Sequence, residues 1–512
     1  MKPKNTLLLL AVLGLSSLAI ADPMSPAYWE QWNPKVQEKI DRDIDKNRKA
    51  DAIIKLPRVI PAGADIKIEQ VTHDFVFGAH IFNFNQLGTP ERNRKYKELY
   101  GSLFNSATVP FYWKKFEMQP GKPRFKGEIR DTEAYWNEVT QNGDPKKQPH
   151  WRRPATDPIV EFCESKGVRM LGHPLVWGIK SWHHPEWLFT RFCPEDEKEK
   201  IKRIGGAKNL HKLPVAEIEK MLPVYTSELN RHMERRIAEI AKYYGNRLQS
   251  WDVVNESVKD FKGTSVTGNA VCSSAYGVLL PGDYTHKAYA IADRVFPKSV
   301  LFNINETTTR SDERYLEQVM DLRKNGSRID ILGVQFHLFN PQHGLDIAEG
   351  KQLKSPKYPV WPDQIWTRMD TLSKADLPIH LSEITITAPG DDARGQEIQA
   401  IMARNLYRMW FSIKNMMGIT WWNVVDGCGV RGEPTTTGLF TRDMQPKPSF
   451  HALNQLINHE WKTNMTIKNP GTGTAAFRGF KGKYKITWRD ASGRDRTATF
   501  HLKTDGDSVT LE

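Results

Sequence analysis

The pattern of apolar and polar positions along the chain predicts buried strands separated by amphipathic helices. Eight short segments are made mostly of apolar or β-branched residues. Such apolar runs are typical of parallel strands that are buried on both faces. The segments are residues 76–81, 106–111, 169–174, 250–254, 299–304, 331–335, 379–383 and 418–423.

Helical periodicity separates most of these segments. The pattern is clearest over residues 227–244, where apolar side chains recur every three or four positions and fall on one helix face. The same helical periodicity occurs over residues 283–295, 312–323 and 395–413. Strands that alternate with helices predict an α/β fold, and eight of them predict closure into a (β/α)8 TIM barrel.

Three of the predicted strands lead into polar residues. The fourth stops at Asn255 and Glu256, the seventh stops at Glu383, and the sixth contains Gln335 and runs on to His337. In a barrel the carboxyl ends of the strands and the loops after them form one rim. We therefore expect these polar side chains to meet at that rim.

The first residues resemble an export signal. Lys2 and Lys4 precede an apolar run over residues 7–20, which ends in small residues at the spacing of a cleavage site. The run is shorter than the about 20 residues that a membrane-spanning helix needs. We expect residues 1–21 to be removed and the protein to be secreted or periplasmic, without stable membrane insertion.

The rest of the chain divides into three parts. Residues 22–72 form an N-terminal extension, with a charged helical segment at 36–53 and an outer strand near 65–71. Residues 73–461 form the barrel domain, which has a long Lys- and Glu-rich insertion between its third and fourth strands. Residues 462–512 form a small β-rich appendage, in which Trp488 is expected to pack against the barrel rather than to bind sugar.

Charge and cysteine content narrow the classes of function. The net charge is +13, but basic residues are interspersed with acidic ones and no nucleic-acid-binding motif appears, so no nucleic-acid partner is expected. An acidic, uronate-bearing polysaccharide stays open as a partner. The cysteines, whose pairing also stays open, are Cys163, Cys193, Cys272 and Cys428. No CxxC or HExxH pattern occurs, so neither a metal nor a cofactor is expected.

Glu256 and Glu383 are candidates for the two carboxyl groups that glycosidic bond hydrolysis requires. Their strands lie across the barrel mouth from one another, so one can protonate the leaving oxygen while the other attacks the anomeric carbon. The Asn255 amide can hydrogen-bond a sugar hydroxyl in the transition state. His337 can hydrogen-bond Glu383 and keep it ionised, which lowers its pKa while Glu256 stays protonated.

Aromatic residues near the strand ends point to the same chemistry. Sugar rings stack on aromatic faces, and the chain has 16 tryptophans, several of them near predicted strand ends. Many of them must belong to the core. Trp177 and Trp422 are the candidates for the cleft.

These residues resemble glycoside hydrolase family 10, the β-1,4-xylanases. The resemblance spans residues 75–461, and its motifs follow the same order as in the family. They are GHPLVW at 172–177, WDVVNE at 251–256, NE at 305–306, IDILGVQFHL at 329–338, HLSEITI at 380–386, WNVVD at 422–426 and QPKP at 445–448.

The resemblance implies a (β/α)8 barrel and a double-displacement mechanism that retains anomeric configuration. Together with the export signal, it leads us to expect a secreted, monomeric endo-1,4-β-xylanase. Glu256 is then the acid/base, Glu383 the nucleophile, and xylan or a related β-glycan the substrate. The substrate-binding residues that it implies are Lys114, His173, Trp177, Asn305, Gln335 and Trp422.

The chain departs from the family where the glycone sugars are gripped. Pro110 and Phe111 stand where the family has a Glu-Asn pair, although Lys114 is retained. The third-strand motif normally ends in Trp-His, and here it ends in Trp177-Gly178. An unusual glycone subsite is therefore expected.

Two other interpretations stay open. The same mechanism can act on a different β-linked or decorated polysaccharide. A catalytically silent sugar-binding barrel would need the aromatic residues but neither glutamate. The joint presence of Asn255, Glu256, His337 and Glu383 argues against the silent barrel.

Overall fold

The computed structural model describes residues 22–511 apart from 58–59, 141–152, 179–182, 207–208, 211–212, 214, 264–283, 308–310 and 354–358. The predicted signal peptide and Cys272 lie outside the described residues. The strands are β1 (Lys49–Lys55), β2 (Asp65–Gln70), β3 (Val76–His80), β4 (Ser106–Pro110), β5 (Arg169–His173), β6 (Val176–Trp177), β7 (Ser250–Asn255), β8 (Leu301–Glu306), β9 (Ile331–Leu338), β10 (Ile379–Ile386), β11 (Met416–Trp421), β12 (Asn464–Lys468), β13 (Thr474–Phe480), β14 (Gly482–Arg489), β15 (Asp495–Leu502) and β16 (Asp507–Thr510).

Eight of the described strands close into a parallel barrel, which confirms the predicted (β/α)8 fold. Their order around the barrel is β3, β4, β5, β7, β8, β9, β10 and β11, with β11 pairing back to β3. The short strand β6 lies beside β7. Where β5 meets β7, a side chain on Gly172 would lie 2.3 Å from the Trp251 ring, so only glycine fits there.

Helices follow most of the barrel strands and pack around them. The predicted helix over 227–244 begins four residues earlier, at Pro223, and its apolar face is buried. Within the described ranges, none of the helices is both long and apolar enough to cross a membrane. The α-helices are Pro26–Gln31, Pro34–Arg48, Pro90–Glu98, Trp113–Phe116, Glu133–Thr140, Thr156–Lys166, Trp187–Phe192, Glu195–Arg203, Val215–Met221, Pro223–Tyr244, Tyr284–Val295, Asp312–Lys324, Pro341–Ala348, Pro362–Leu372, Ala393–Ser412 and Pro448–Asn454.

The N-terminal helix is shorter than predicted. It covers Pro34–Arg48, and the residues that follow it form β1 rather than continuing the helix to residue 53. Ala50, Ala52 and Ile54 are fully buried while the residues between them are mostly exposed, which is the alternation of a strand. Pairing with β13, far along the chain, decides this conformation.

The N-terminal and C-terminal strands form one β unit beside the barrel. One sheet has the order β13-β1-β16 and the other has the order β12-β2-β14-β15. A separate apolar core lies between them and includes Ile68, Ile486 and Trp488. Trp488 is only 3% exposed, so it stabilises this unit and presents no surface to a sugar. Within the predicted β-rich appendage, β14 and β15 pair as an antiparallel hairpin.

Candidate active site

A cleft of about 260 Å³ opens at the carboxyl ends of the barrel strands, where the polar rim was predicted. It brings most of the predicted site residues together. Those that line it are His173, Trp177, Asn255, Glu256, Gln335, His337, Glu383 and Trp422. Asn305 lies behind this surface, and Lys114 lies away from it.

Glu256 directly follows β7, and its backbone turns into the left-handed region with a φ of 52°. This conformation is uncommon for a residue with a side chain, costs on the order of 1–3 kcal/mol, and clusters at functional sites. The Glu256 N–H donates to the Asn305 carbonyl over 2.8 Å. Trp177 Nε1 donates to the Glu256 side chain, at Oε2, over 3.2 Å. These contacts hold the carboxyl group in the cleft.

Glu383 lies within β10 and is only 5% exposed. Its Oε1 accepts hydrogen bonds from Asn305 Nδ2 over 2.8 Å and from Gln335 Nε2 over 3.2 Å. His337 Nε2 lies 3.3 Å from the other carboxyl oxygen of Glu383, Oε2. The other ring nitrogen of His337 lies 2.9 Å from Thr385 Oγ1, which orients the imidazole. The predicted contact between His337 and Glu383 is therefore present.

Gln335 joins the two carboxyl groups. Its Nε2 lies 3.2 Å from Glu256 Oε1 and 3.2 Å from Glu383 Oε1. The two oxygens can therefore be separated by at most twice that distance, about 6.4 Å. Two carboxyl groups this close can act on opposite sides of one bond, one as a proton donor and the other as a nucleophile.

The pKa of Glu383 shifts in the direction opposite to the prediction. Burial raises it to about 8, the charge of His173 opposes this rise, and the charge of Glu256 adds to it. The prediction considered only the contact with His337. It was wrong because the lost hydration of a buried carboxylate outweighs the donors around it.

His173 supplies a second imidazole beside Glu383. Its Nδ1 lies 2.7 Å from Asp252 Oδ2, and its Nε2 lies 3.7 Å from Glu383 Oε1. Burial alone would lower the pKa of His173, but the hydrogen bond to Asp252 and the neighbouring carboxylates raise it above its ordinary value. A protonated His173 therefore favours the ionised form of Glu383. Sequence reasoning did not assign a role to Asp252, although it lies within the WDVVNE motif.

Asn305 holds the site from behind rather than facing the cleft. Its Nδ2 donates to Asn255 Oδ1 and to Glu383 Oε1, each over 2.8 Å. Its Oδ1 accepts from Ser382 Oγ over 2.6 Å. This contact orients the Asn255 amide, whose nitrogen can donate to a sugar hydroxyl.

An aromatic wall forms one side of the cleft, at the ends of β11, β3 and β4. Phe82, Tyr112 and Trp422 pack together, with Trp177 against them. The ring of Trp422 meets Phe82 edge-on with centroids 5.2 Å apart, and Tyr112 meets Trp177 similarly at 5.9 Å. Sequence reasoning found the two tryptophans but missed Phe82 and Tyr112.

The segment at the end of β4 carries Pro110 and Phe111 in place of a sugar-gripping Glu-Asn pair, and neither residue lines the cleft. Phe111 is fully buried and packs on Trp251 in the barrel core, with centroids 4.6 Å apart. Its neighbour Tyr112 faces the cleft instead. Lys114, one turn further on, places its Nζ 3.0 Å from Glu186 Oε1 and is not among the described residues that line the cleft.

Two charged residues in the cleft were not predicted. Arg153 precedes the helix Thr156–Lys166, and Glu433 belongs to the connection after β11. Neither residue ends a strand, so the strand-end pattern gave no signal for them.

Three cysteines lie among the described residues, and all three are buried in the core around the barrel: Cys163, Cys193 and Cys428. None of these three lines the cleft. Among the described residues, no group of three or more His, Cys, Asp or Glu side chains is arranged to hold a metal ion.

Comparison with known proteins points to one family. The model for glycosyl hydrolase family 10 matches residues 77–456. Endo-1,4-beta-xylanase B of Paenibacillus barcinonensis is 24% identical over 341 residues, which are 62% of this chain and 87% of that protein. Anti-sigma-I factor RsgI6 of Acetivibrio thermocellus is 23% identical over 466 residues, which are 91% of this chain; the chain spans only 48% of that relative's length.

Solved structures share the barrel. Xylanase 10B from Thermotoga petrophila RKU-1, in complex with xylobiose, aligns with a TM-score of 0.52 at 17% sequence identity. The alignment covers 76% of this chain and 95% of the other. At this level of identity the likeness establishes the fold alone.

Proposed function

The chain belongs to glycosyl hydrolase family 10, and from this membership we propose that it hydrolyses internal β-1,4-xylosidic bonds of xylan with retention of configuration. Glu256 acts as the acid/base and Glu383 as the nucleophile. The observation that carries the proposal is the single Gln335 amide nitrogen that lies 3.2 Å from both carboxyl groups.

The short spacing of the two carboxyl groups supports retention. Retaining glycosidases have them about 5–5.5 Å apart, whereas inverting enzymes leave about 6.5–9.5 Å for an attacking water. The oxygens that share Gln335 are at most about 6.4 Å apart. This upper bound lies below the range of inverting enzymes and so favours the retaining arrangement.

The reaction then proceeds in two displacements. Glu256 transfers its proton to the glycosidic oxygen while a Glu383 oxygen attacks the anomeric carbon, which releases the leaving sugar and forms a glycosyl ester. Glu256 next removes a proton from water, the water oxygen attacks the same carbon, and the ester bond to Glu383 breaks. Asn305 and Gln335 donate to Glu383 and keep its oxygen aimed throughout.

The decisive experiment is to follow hydrolysis of xylan by the purified chain with NMR. The β-anomer is expected to appear first and then to mutarotate, because double displacement restores the configuration. Parallel assays on glucans and mannans test the alternative polymers. First appearance of the α-anomer contradicts the mechanism. Turnover of only non-xylan polymers contradicts the substrate, and binding without turnover favours a silent sugar-binding barrel.

The raised pKa of Glu383 predicts the pH dependence. Attack needs the ionised carboxylate, so kcat/KM is expected to rise as the pH approaches about 8. Glu256→Gln removes a charge that raises this pKa, so the rising limb is expected to move to lower pH. Both proteins are compared on a nitrophenyl β-xyloside, whose leaving group needs no acid. A limb that does not move, or that lies at the ordinary carboxyl pKa of 4.5 in both proteins, contradicts this prediction.

Export and a monomeric state complete the proposal. The apolar segment over residues 7–20 supports export with removal of residues 1–21, to the medium or to a periplasm. A polymeric substrate is met outside the cytoplasm, which agrees with this location.

A further inference from the structure

Arg153 is held against the aromatic wall of the cleft. Its guanidinium lies 4.4 Å from the ring centroid of Phe82 and 5.0 Å from that of Tyr112. Arg124 Nη2 donates to the Arg153 carbonyl over 3.1 Å, which anchors the backbone as well. Contacts of this kind hold a guanidinium beside the faces of the rings and restrict where its N–H groups can lie.

Glu433 lies on the same part of the cleft. Its Oε2 accepts from Asn423 Nδ2 over 2.8 Å and from the Val430 N–H over 3.0 Å. Asn423 is itself oriented by His80 Nε2, which lies 3.1 Å from its Oδ1. The carboxylate therefore has a defined position while the residue remains partly exposed.

The two charges influence each other. Burial lowers the pKa of Arg153, and the charge of Glu433 acts against this decrease. A carboxylate that is fixed near a partly desolvated guanidinium keeps that guanidinium charged. The wall thus combines a planar donor and a fixed acceptor with aromatic surface.

We propose that Arg153 and Glu433 together bind hydroxyl groups of a neutral sugar unit at the aromatic wall and so determine which sugars the cleft accepts. This inference rests on the proposed function, because it concerns the substrate of the same site. A guanidinium offers several N–H donors in one plane, and a carboxylate offers two acceptor oxygens. Adjacent hydroxyl groups on a pyranose can donate to one and accept from the other.

Arg153 and Glu433 compensate for polar side chains that are missing at the end of β4. Pro110 and Phe111, at the end of β4, have no polar side-chain atoms, and Phe111 is turned into the core. Arg153 and Glu433 reach this wall from two different connections and supply a donor and an acceptor there. Sugar sites generally combine an apolar surface with a few fixed polar groups.

The test compares Arg153→Lys, Arg153→Ala and Glu433→Gln on unsubstituted β-1,4-xylo-oligosaccharides. Loss of a hydrogen bond to a charged group is expected to lower kcat/KM by about 10- to 100-fold, mainly through KM. Lysine keeps the charge but not the planar set of donors, so Arg153→Lys is expected to lose activity too. Arg130→Ala, an exposed arginine in the same β4–β5 connection, is the matched control. Thermal unfolding identifies any variant that fails to fold.

Two further measurements separate this inference from the proposed function. Affinity for the same oligosaccharides is measured in a Glu383→Gln background, where turnover does not interfere. The double variant Arg153→Ala, Glu433→Gln is expected to lose less affinity than the product of the losses in the two single variants, because both groups act on one sugar.

Failure of the parent to cleave any polymer contradicts the proposed function. Unchanged kcat/KM and affinity in the Arg153 variants of an active parent contradicts only the inference. A loss confined to uronate-substituted oligosaccharides overturns it too, because Arg153 then binds a carboxylate.

Discussion

Replacing Glu383 with glutamine is expected to lower kcat on xylan by about 10⁴-fold or more, because it removes the proposed nucleophile. Glutamine has nearly the same shape, and its side-chain oxygen can still accept from Asn305 and Gln335. The fold and the affinity for oligosaccharides should therefore change little. Initial rates, a binding isotherm and thermal unfolding on the same preparation check the three parts of this expectation.

A smaller side chain at this position gives a sharper test. In Glu383→Ala, added azide can enter the vacated space and attack the anomeric carbon in a single displacement. The expected product from an activated β-xyloside is the α-glycosyl azide, of inverted configuration. A β-glycosyl azide from this variant would assign the nucleophile to another group.

Glu306→Gln is the matched control for the loss of a buried carboxyl group. Burial raises the pKa of Glu306 to about 8, as it does for Glu383, so glutamine resembles its protonated form near neutral pH. Its oxygens accept from the backbone N–H groups of Val258 and Thr307, and it does not line the cleft. We expect this variant to keep most of its activity. A loss as large as that of Glu383→Gln would mean that burial near the site, rather than nucleophilic attack, explains the effect.

The barrel and its candidate catalytic pair were predictable because both depend on local patterns. Buried parallel strands are apolar along their whole length, and polar residues at their carboxyl ends must lie on one rim. The ends of two predicted strands are therefore enough to place Glu256 and Glu383 on the same rim. The shared contact with Gln335 follows from the same geometry, since β9 lies beside β10.

Features that depend on distant parts of the chain were not predictable. Residues 49–55 have a charged, helix-compatible composition, but β13 pairs with them over the whole strand and decides their conformation. Arg153 and Glu433 follow no strand pattern and reach the cleft only through the path of their connections. The pKa of Glu383 depends on how completely its hydration is lost, which a sequence does not state.

Replacing Glu256 is expected to produce a loss that depends on the leaving group. Glu256→Ala should lower kcat/KM by about 10²- to 10⁴-fold on xylo-oligosaccharides, whose leaving alcohol must be protonated as the bond breaks. The dinitrophenolate of a dinitrophenyl β-xyloside leaves without being protonated. The first displacement on this substrate should therefore slow far less in Glu256→Ala. The second displacement still lacks a base, and the glycosyl ester on Glu383 should accumulate, visible as a burst of released phenol followed by slow turnover.

Azide distinguishes an acid/base from a group that only orients the substrate. It should accelerate turnover of the dinitrophenyl substrate by Glu256→Ala, because it needs no base to attack the ester, and the product should be the β-glycosyl azide. Trp177→Phe is the control, since Trp177 Nε1 donates to Glu256 Oε2 over 3.2 Å but carries no transferable proton for the reaction. It should slow both substrates by similar factors and show no burst. Equal losses on both substrates in Glu256→Ala, without azide rescue, would exclude proton transfer by Glu256 and leave it a binding role.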